Sequence, residues 1–203
     1  MPEVKTLIVG HHYHNESGVL DLGSSVTLVK SDKNIVVDTG YFTDTAEIIE
    51  KLKKENLTPE DIDIVVLTHV HLDHVCNNYL FTKAKIYCKF RGDGEYTGQF
   101  HDRQTGQAQR TDILDGVKLA QDVEFLETPG HTNDSIAVVV NTDQGKVVIS
   151  GDAIASQEFM DMTKEPPVFI VYNMDKFNQS RQKILKIADY IIPGHGPMFK
   201  VTK

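Results

Sequence analysis

The sequence predicts an α/β fold built from layers in which β-sheets predominate. Short runs rich in β-branched and apolar residues recur along the whole chain, as is typical of strands. Two longer segments, one in each half, carry apolar residues at helical spacing instead. Polar segments rich in histidine, aspartate and glycine follow several of the strand-like runs. We therefore expect sheets that pack with helices, and loops from both halves that meet at one edge.

The first half of the chain contains four strand-like runs and one amphipathic segment. We expect strands at residues 4–9, 25–30, 34–38 and 64–67, the middle two forming a hairpin. Residues 44–55 have apolar side chains on one helical face and lysines near the end, where a helix dipole favours cations. A short helical turn is expected to begin at residue 58, and residues 10–23 are predicted to be a polar loop.

The second half repeats this alternation around a long polar stretch. Strands are expected at residues 85–88, 123–127, 135–141, 146–150 and 190–192, with a helix at 174–187. Residues 90–111 are rich in glycine, glutamine and charge and show little periodicity, so they are predicted to form a long loop of the kind that is often functional.

Composition limits the classes of protein that this chain can belong to. The 203 residues are 40% hydrophobic and 25% charged, which excludes wholesale disorder and predicts a single domain over residues 1–203. The net charge of −8 disfavours a surface that grips nucleic acid everywhere. Two cysteines, Cys76 and Cys88, exclude a disulfide scaffold. Because neither a membrane span nor a signal peptide is evident, we expect a cytoplasmic protein without membrane contact.

Nine histidines are present, and six of them fall in two bursts. The second burst forms the motif His69-x-His71-x-Asp73-His74 directly after an expected strand. Imidazole and carboxylate groups suit zinc, iron and manganese. One ion cannot readily accept four donors from so short a segment, so the motif indicates two ions and further ligands from elsewhere in the chain.

Three further candidate ligands follow expected strands in the second half. His131 and His195 each follow Pro-Gly, and Asp152 follows Ser-Gly. Each residue stands where a strand gives way to a loop, so all three can reach one edge of the sheets. A lone histidine is usually a hydrogen-bonded structural residue, but seven potential ligands in this arrangement favour a metal site.

These motifs, together with Val36-Val37-Asp38-Thr39-Gly40, resemble the metallo-β-lactamase-fold hydrolases over nearly the whole chain. The resemblance implies a four-layer αβ/βα sandwich with the active site along one edge of two β-sheets. It implies that one ion is bound by His69, His71 and His131, that the second is bound by Asp73, His74 and His195, and that Asp152 bridges them. It also implies that Asp38 orients a ligand histidine.

The resemblance further implies a hydrolase with two divalent metal ions, zinc being the first expectation and iron or manganese the alternatives. Two such ions can share a water, lower its pKa and polarise the bond that is attacked. A metal-bridged hydroxide would be the nucleophile, with Asp73 orienting it and Asp152 as the other catalytic carboxylate. A cysteine-ligand β-lactamase is disfavoured, because Asp152 occupies the position where that cysteine would be expected.

Two segments are candidates for binding substrate. Arg91, Arg103 and Arg110 lie in the long polar stretch among aromatic residues, an arrangement that can hold phosphates and stack bases, although a solvated loop explains it equally well. The histidines at residues 11, 12 and 14 either overhang the metal edge, bind metal adventitiously or belong to a surface loop.

Three functions remain open at this point. The first is a phosphodiesterase or ribonuclease that acts on single-stranded RNA, and the second is a hydrolase of a thioester, lactone or other small-molecule carboxylic derivative. The third is a non-hydrolytic, iron-binding redox protein. A homodimer is compatible with each of them.

Overall fold

The structure is a computed structural model that describes residues 1–14, 16–18, 20–92, 95–167 and 170–202. Within strands, the side chains of residues 91, 92 and 95–97 lie outside this description. Three α-helices lie among the described residues, namely α1 (Thr45–Lys54), α2 (Leu72–Val75) and α3 (Met174–Ile187). The bounds of α1 and α3 agree closely with the two helices that periodicity predicts.

Two large sheets and one small hairpin contain the strands of the described residues. The seven-stranded sheet has the order β1 (Glu3–Ile8), β4 (Val26–Lys30), β5 (Asn34–Val37), β6 (Ile64–Val66), β7 (Lys85–Gly92), β8 (Glu95–Asp102) and β9 (Gln107–Arg110). The six-stranded sheet has the order β10 (Lys118–Ala120), β11 (Val123–Glu127), β12 (Ile136–Thr142), β13 (Gly145–Gly151), β14 (Tyr190–Pro193) and β15 (Phe199–Lys200). Strands β2 (His11–His14) and β3 (Leu20–Gly23) pair only with each other.

Three apolar clusters divide the molecule into four layers. Helix α1 buries Ile48 and Leu52 against one face of the seven-stranded sheet, and α3 buries Ile184 against the outer face of the six-stranded sheet. The central cluster lies between the two sheets. Strand β12 shows how one sheet contributes to two clusters. Successive side chains of a strand point to opposite faces, so Val138 lies in the central cluster and its neighbour Val139 lies in the cluster under α3. The sequence-predicted αβ/βα sandwich is thus confirmed.

Strand direction determines which loops can meet. Strands β5, β6 and β7 are parallel, so the segments that follow β5 and β6 leave the same edge of the sheet. In the other sheet, β13 and β14 are parallel, and β11 runs in the same direction because two antiparallel pairings separate it from β13. Asp38, Thr68, His131, Asp152 and His195 all lie just beyond these strand ends.

Two predicted loops are strands in the structure. Residues 90–111 belong largely to a meander of β7, β8 and β9, in which β7 and β8 pair residue by residue from Lys85↔Asp102 to Gly92↔Glu95. The pair Asp93-Gly94 is a strong hairpin signal, but little alternation of apolar residues accompanied it. Residues 10–23 likewise contain the β2–β3 hairpin, whose strands are mostly polar and exposed.

Candidate metal centre

The His-x-His-x-Asp-His motif leaves the end of β6 and enters the short helix α2. His69 and His71 lie in the extended segment before α2, whereas Asp73 and His74 lie in its first turns. His71 is the exposed member of the four, and the other three are buried. The change from extended to helical backbone separates the motif into two pairs that face different neighbours.

The first group of potential ligands consists of three histidines and one aspartate. The Nδ1 atom of His71 lies 2.9 Å from the Nε2 atoms of both His69 and His131. The Oδ2 atom of Asp152 lies 3.4 Å from His131 Nε2. Since one ring nitrogen has a single lone pair or a single proton, it cannot satisfy both neighbours by hydrogen bonding. Three nitrogens that converge in this way suit a common cation.

The second group consists of Asp73, His74 and His195. Asp73 Oδ2 lies 3.4 Å from His74 Nε2 and 3.6 Å from His195 Nε2. The Oδ1 atom of Asp152 lies 3.4 Å from His74 Nε2 and 3.3 Å from His195 Nε2. The two oxygens of Asp152 therefore face different groups, which is the arrangement that a bridging carboxylate requires.

The residues present fit a pair of divalent ions. Asp73 Oδ2, His74 Nε2 and Asp152 Oδ1 are buried and have no hydrogen-bond partner. Such atoms are costly to bury unless something else satisfies them. Within each group the donor atoms all lie within 4.8 Å of one another, and imidazole with carboxylate is a donor set that zinc, iron and manganese accept.

A second layer of hydrogen bonds orients the histidines. Asp38 Oδ2 accepts a hydrogen bond of 2.8 Å from His74 Nδ1 and another of 2.8 Å from the hydroxyl of Thr68. Because that hydroxyl has given its only proton to Asp38, it accepts from His69 Nδ1 at 3.1 Å. Both histidines are thus protonated on Nδ1, which leaves the Nε2 lone pairs directed towards the centre.

The third oriented ligand is His195, which connects the centre to the small hairpin. Its Nδ1 atom donates to the backbone carbonyl of Gly23 at 3.0 Å and lies 3.2 Å from that of His11. His11 and Gly23 are paired with each other at the open end of the β2–β3 hairpin. The hairpin therefore fixes the tautomer of His195 through backbone atoms, and its side chains can vary without removing that support.

Glycine allows the ligand-bearing loops to approach each other closely. Gly151 has a φ of +50°, and a Cβ at this position would meet the Thr68 hydroxyl at 2.5 Å. A Cβ at Gly194 would collide with the Asp152 carboxylate. The glycines in front of Asp152 and His195 are therefore required by close packing around the centre.

Electrostatics keep two of the candidate donors, Asp152 and His69, in metal-binding forms. Burial acts to raise the pKa of Asp152, but His74 and His195 outweigh it and hold that pKa well below its usual range. Burial and the neighbouring His74 together lower the pKa of His69 well below its usual range. Asp152 is therefore an anion and His69 a neutral ligand at neutral pH, as a cation requires.

Fold and site together match a known superfamily. A sequence profile described as the metallo-beta-lactamase superfamily matches residues 19–195, and the chain belongs to that superfamily. It is a metal-dependent hydrolase, and the family together with the cluster of histidines and aspartates indicates a dinuclear centre for divalent metal ions.

Individual relatives agree with this assignment. Metallo-beta-lactamase domain-containing protein 1 of Xenopus laevis is 31% identical over 207 residues, which cover 98% of this chain and 82% of that protein. Among solved structures, a Thermotoga maritima protein assigned to the metallo-beta-lactamases has a TM-score of 0.71 at 22% identity, covering 98% of this chain and 99% of its own. A quorum-quenching N-acyl homoserine lactone lactonase has a TM-score of 0.67 at 18% identity, covering 96% and 91%. The two structures show a shared fold.

Arg103 and Arg110, two of the three arginines expected to bind substrate, lie at different places in the seven-stranded sheet. Arg103 lies beyond the end of β8, where its backbone N–H donates to Ala84 just before β7 begins, at the end of the sheet opposite to the metal-ligand candidates. Arg110 is exposed on the edge strand β9. The side chain of Arg91, in β7, lies outside the described part of the structure. A nearby basic residue, Lys89, is paired with Glu127 at 2.5 Å.

The structure also brings a residue to the centre that the sequence analysis left open. The ring of His12 lies edge-on to that of His195, with 5.7 Å between their centroids. Burial and His195 lower the pKa of His12, against the raising effect of the Asp152 and Asp73 carboxylates. The spacing of His12 and His14 is the one that places two side chains on the same face of a strand. The segment is polar and shows no alternation of apolar residues, so the sequence analysis predicts a loop there.

Apolar side chains flank the exposed ligand candidate His71. Val70 and Leu72, its two neighbours in sequence, are 50% and 56% exposed. Leu20, on a strand that lies against α2, is 46% exposed. Exposed apolar side chains also occur at other positions, among them Ile49 and Leu114.

None of the described helices is both long and apolar enough to cross a membrane.

Proposed function

We propose that this protein hydrolyses a lactone, a thioester or a related carboxylic ester in a substrate that carries an apolar group. In this proposal His69, His71 and His131 hold one divalent ion, Asp73, His74 and His195 hold a second, and Asp152 contributes one oxygen to each. Zinc is the expected metal. The carboxylate geometry supports this division, because the two oxygens of Asp152 face the two groups separately.

The chain's own residues prepare the site for hydrolysis. Two divalent ions held here would supply Lewis acidity and lower the pKa of water. Asp73 directs one oxygen towards His74 and His195, which leaves the other to accept a hydrogen bond from the attacking water. Asp38 keeps His74 protonated on Nδ1, and the carbonyl of Gly23 does the same for His195.

The observation that carries the substrate class is the pair of exposed apolar side chains, Val70 and Leu72, on either side of the ligand candidate His71. A phosphodiester polymer needs a basic footprint, and specific binding is strengthened by several lysine or arginine contacts. Of the basic side chains in or next to the long polar stretch, Lys89 is paired with Glu127, and Arg103 lies at the end of the sheet opposite to the metal-ligand candidates. An acidic protein with a net charge of −8 suits an uncharged ester better than RNA.

A panel of substrates tests this proposal. Zinc-loaded protein would be assayed with N-hexanoyl-homoserine lactone, S-lactoylglutathione, bis(p-nitrophenyl) phosphate and a labelled single-stranded RNA, each beside Asp152→Ala prepared identically. We expect hydrolysis of the lactone or the thioester that depends on metal and is lost in the variant. RNA cleavage lost in Asp152→Ala, without ester hydrolysis, would instead establish the phosphodiesterase. Inertness towards all four substrates in a protein purified with tightly bound iron would support the redox alternative.

A further inference from the structure

The two faces of the β2–β3 hairpin differ in what they offer to the metal edge. Directly opposed residues in an antiparallel pair share a face, so the pairing His12↔Leu22 and His14↔Leu20 groups two histidines with two leucines. The other face is occupied by the contact between His11 Nε2 and Asp21 Oδ1, at 2.8 Å. The face with the leucines is the one that carries His12 towards His195.

His12 has a position that a structural role does not explain. The described aromatic ring that it contacts is the edge of His195, and no described residue hydrogen-bonds to either of its nitrogens. The residue is exposed, so it contributes little to a core. It also lies outside both groups of donor atoms that are mutually within 4.8 Å. Because its ring nitrogens have no hydrogen-bond partner among the described residues, His12 can form a hydrogen bond with a bound substrate.

Resting on the proposed function, we propose that His12 is a specificity-determining residue that donates a hydrogen bond from its imidazole N–H to a carbonyl oxygen of the bound substrate. The substrate class that fits is an ester whose acyl part carries a second polar group, such as an amide, next to an apolar chain. Leu20 and Leu22 on the same face contact the apolar chain, while His12 reads the polar group. The hairpin thus selects substrate, and His195 keeps its support from the backbone carbonyls of residues 11 and 23.

The experiment compares His12→Ala with His12→Gln, which retains an N–H donor, and with His14→Ala as a control on the same face. Zinc content measured by elemental analysis should equal that of the wild type in all three variants, because the hairpin backbone supports His195. With N-hexanoyl-homoserine lactone, His12→Ala should raise KM about tenfold and change kcat less than about threefold. His12→Gln should restore KM to within about threefold, and His14→Ala should leave it unchanged.

A binding measurement separates this inference from the proposed function. Calorimetric titration of the zinc-loaded proteins with N-hexanoyl-homoserine should give a Kd about tenfold weaker for His12→Ala than for the wild type. Binding by a wild type that hydrolyses no ester would overturn the proposed function, and the Kd ratio would still decide the role of His12. Equal Kd values for the wild type and His12→Ala overturn the inference, as does zinc loss in His12→Gln, which would make His12 a support of the metal centre.

Discussion

Both ends of the β-sandwich carry charged residues, but the two ends differ in how fully other protein groups pair with those charges. At the metal edge, Asp73 and Asp152 are buried and each has an oxygen without a protein donor. At the opposite end, Asp63 accepts a hydrogen bond of 2.9 Å from the backbone of Asn34 and lies 3.8 Å from Lys33. Lys83 and Glu60, at the same end, pair at 2.9 Å. The far end borders a recess between strands, and its charged groups are paired with the chain's own side chains and backbone.

The comparison teaches that the state of the acceptors identifies a site better than the density of charge does. The recess at the far end has a volume of about 580 Å³ and is lined by acidic and basic residues. Its exposed ion pairs contribute little to stability, and their charged groups are already paired with other side chains. The unpartnered oxygens at the metal edge carry a desolvation cost that a bound cation would relieve.

Removing the shared carboxylate should give the largest difference between the ends. We expect Asp152→Ala to lower kcat/KM by about 10³-fold or more, because both groups of ligands lose an oxygen. Metal content, measured by elemental analysis, should fall below that of the wild type. Asp63→Ala at the far end is the matched control and should retain full activity and metal. Equal loss in both variants would contradict the distinction between the two ends.

A Cβ at the centre should cost more than a Cβ on an open turn. Gly151 and Gly116 both have positive φ, +50° and +74°, but only the former has neighbours within 4 Å of the added atom. Gly151→Ala should lower the free energy of unfolding by about 3 kcal/mol, combining backbone strain with the collision against Thr68. Gly116→Ala should cost about 1 kcal/mol from strain alone. Urea unfolding of both variants without metal measures the difference.

Neutralising the residue that orients His74 should have an intermediate effect. Asp38 has a φ of +56°, a conformation that asparagine tolerates, so Asp38→Asn changes charge and acceptor capacity with little change in backbone. Loss of such a partner typically lowers metal affinity or activity by about 10- to 100-fold. Competition with a chelator would measure zinc affinity in the variant. An unchanged affinity would show that the Thr68 hydroxyl suffices to organise the ligands.

The pH dependence of the metal-free protein should show the smallest effect. Burial acts to lower the pKa of His74, but Asp38 and Asp152 outweigh it and raise that pKa well above its usual range. The folded state then binds more protons than the unfolded state at mildly alkaline pH. Stability from His74 is fully present below the unfolded pKa of about 6.5 and is lost as pH rises through the folded value.

We therefore expect the free energy of unfolding of the metal-free protein to fall as pH rises above the unfolded pKa of about 6.5, by at most about 1.4 kcal/mol per pH unit for each proton released. Asp38→Asn should flatten this slope, since it removes one of the two carboxylates that raise the pKa. Urea unfolding at several pH values gives the slope directly. A flat profile above the unfolded pKa would mean that burial, not the carboxylates, controls the pKa of His74.

Regular periodicity made most of the fold predictable. Strand β12 could be recognised because a continuous β-branched run serves two cores at once, and α3 because its buried face repeats at helical spacing. Strand β7 was predicted over residues 85–88 only. Strands β8 and β9 and the hairpin β2–β3 were missed, since they are stabilised by backbone pairing at exposed or half-buried positions, where side chains need not alternate.

The same reasoning explains what could be said about the site. The seven candidate ligands stand out because histidine and aspartate recur after strand ends, and the structure brings them together in two groups. Their binding of metal stays a prediction. The position of Arg103 depends on strand register, and that of His12 depends on the path of a polar hairpin. Neither can be predicted from residue types alone.

The hydrogen bond from His195 to Gly23 joins residues that are 172 positions apart. A ribosome would release the early hairpin long before the histidine that it orients, and the other six candidate ligands would emerge first. The donors for the second ion would therefore be incomplete on any nascent chain that ends before His195. Cation uptake at that position should consequently follow the synthesis of His195, and earlier encounters with metal in the cell would involve only the first group.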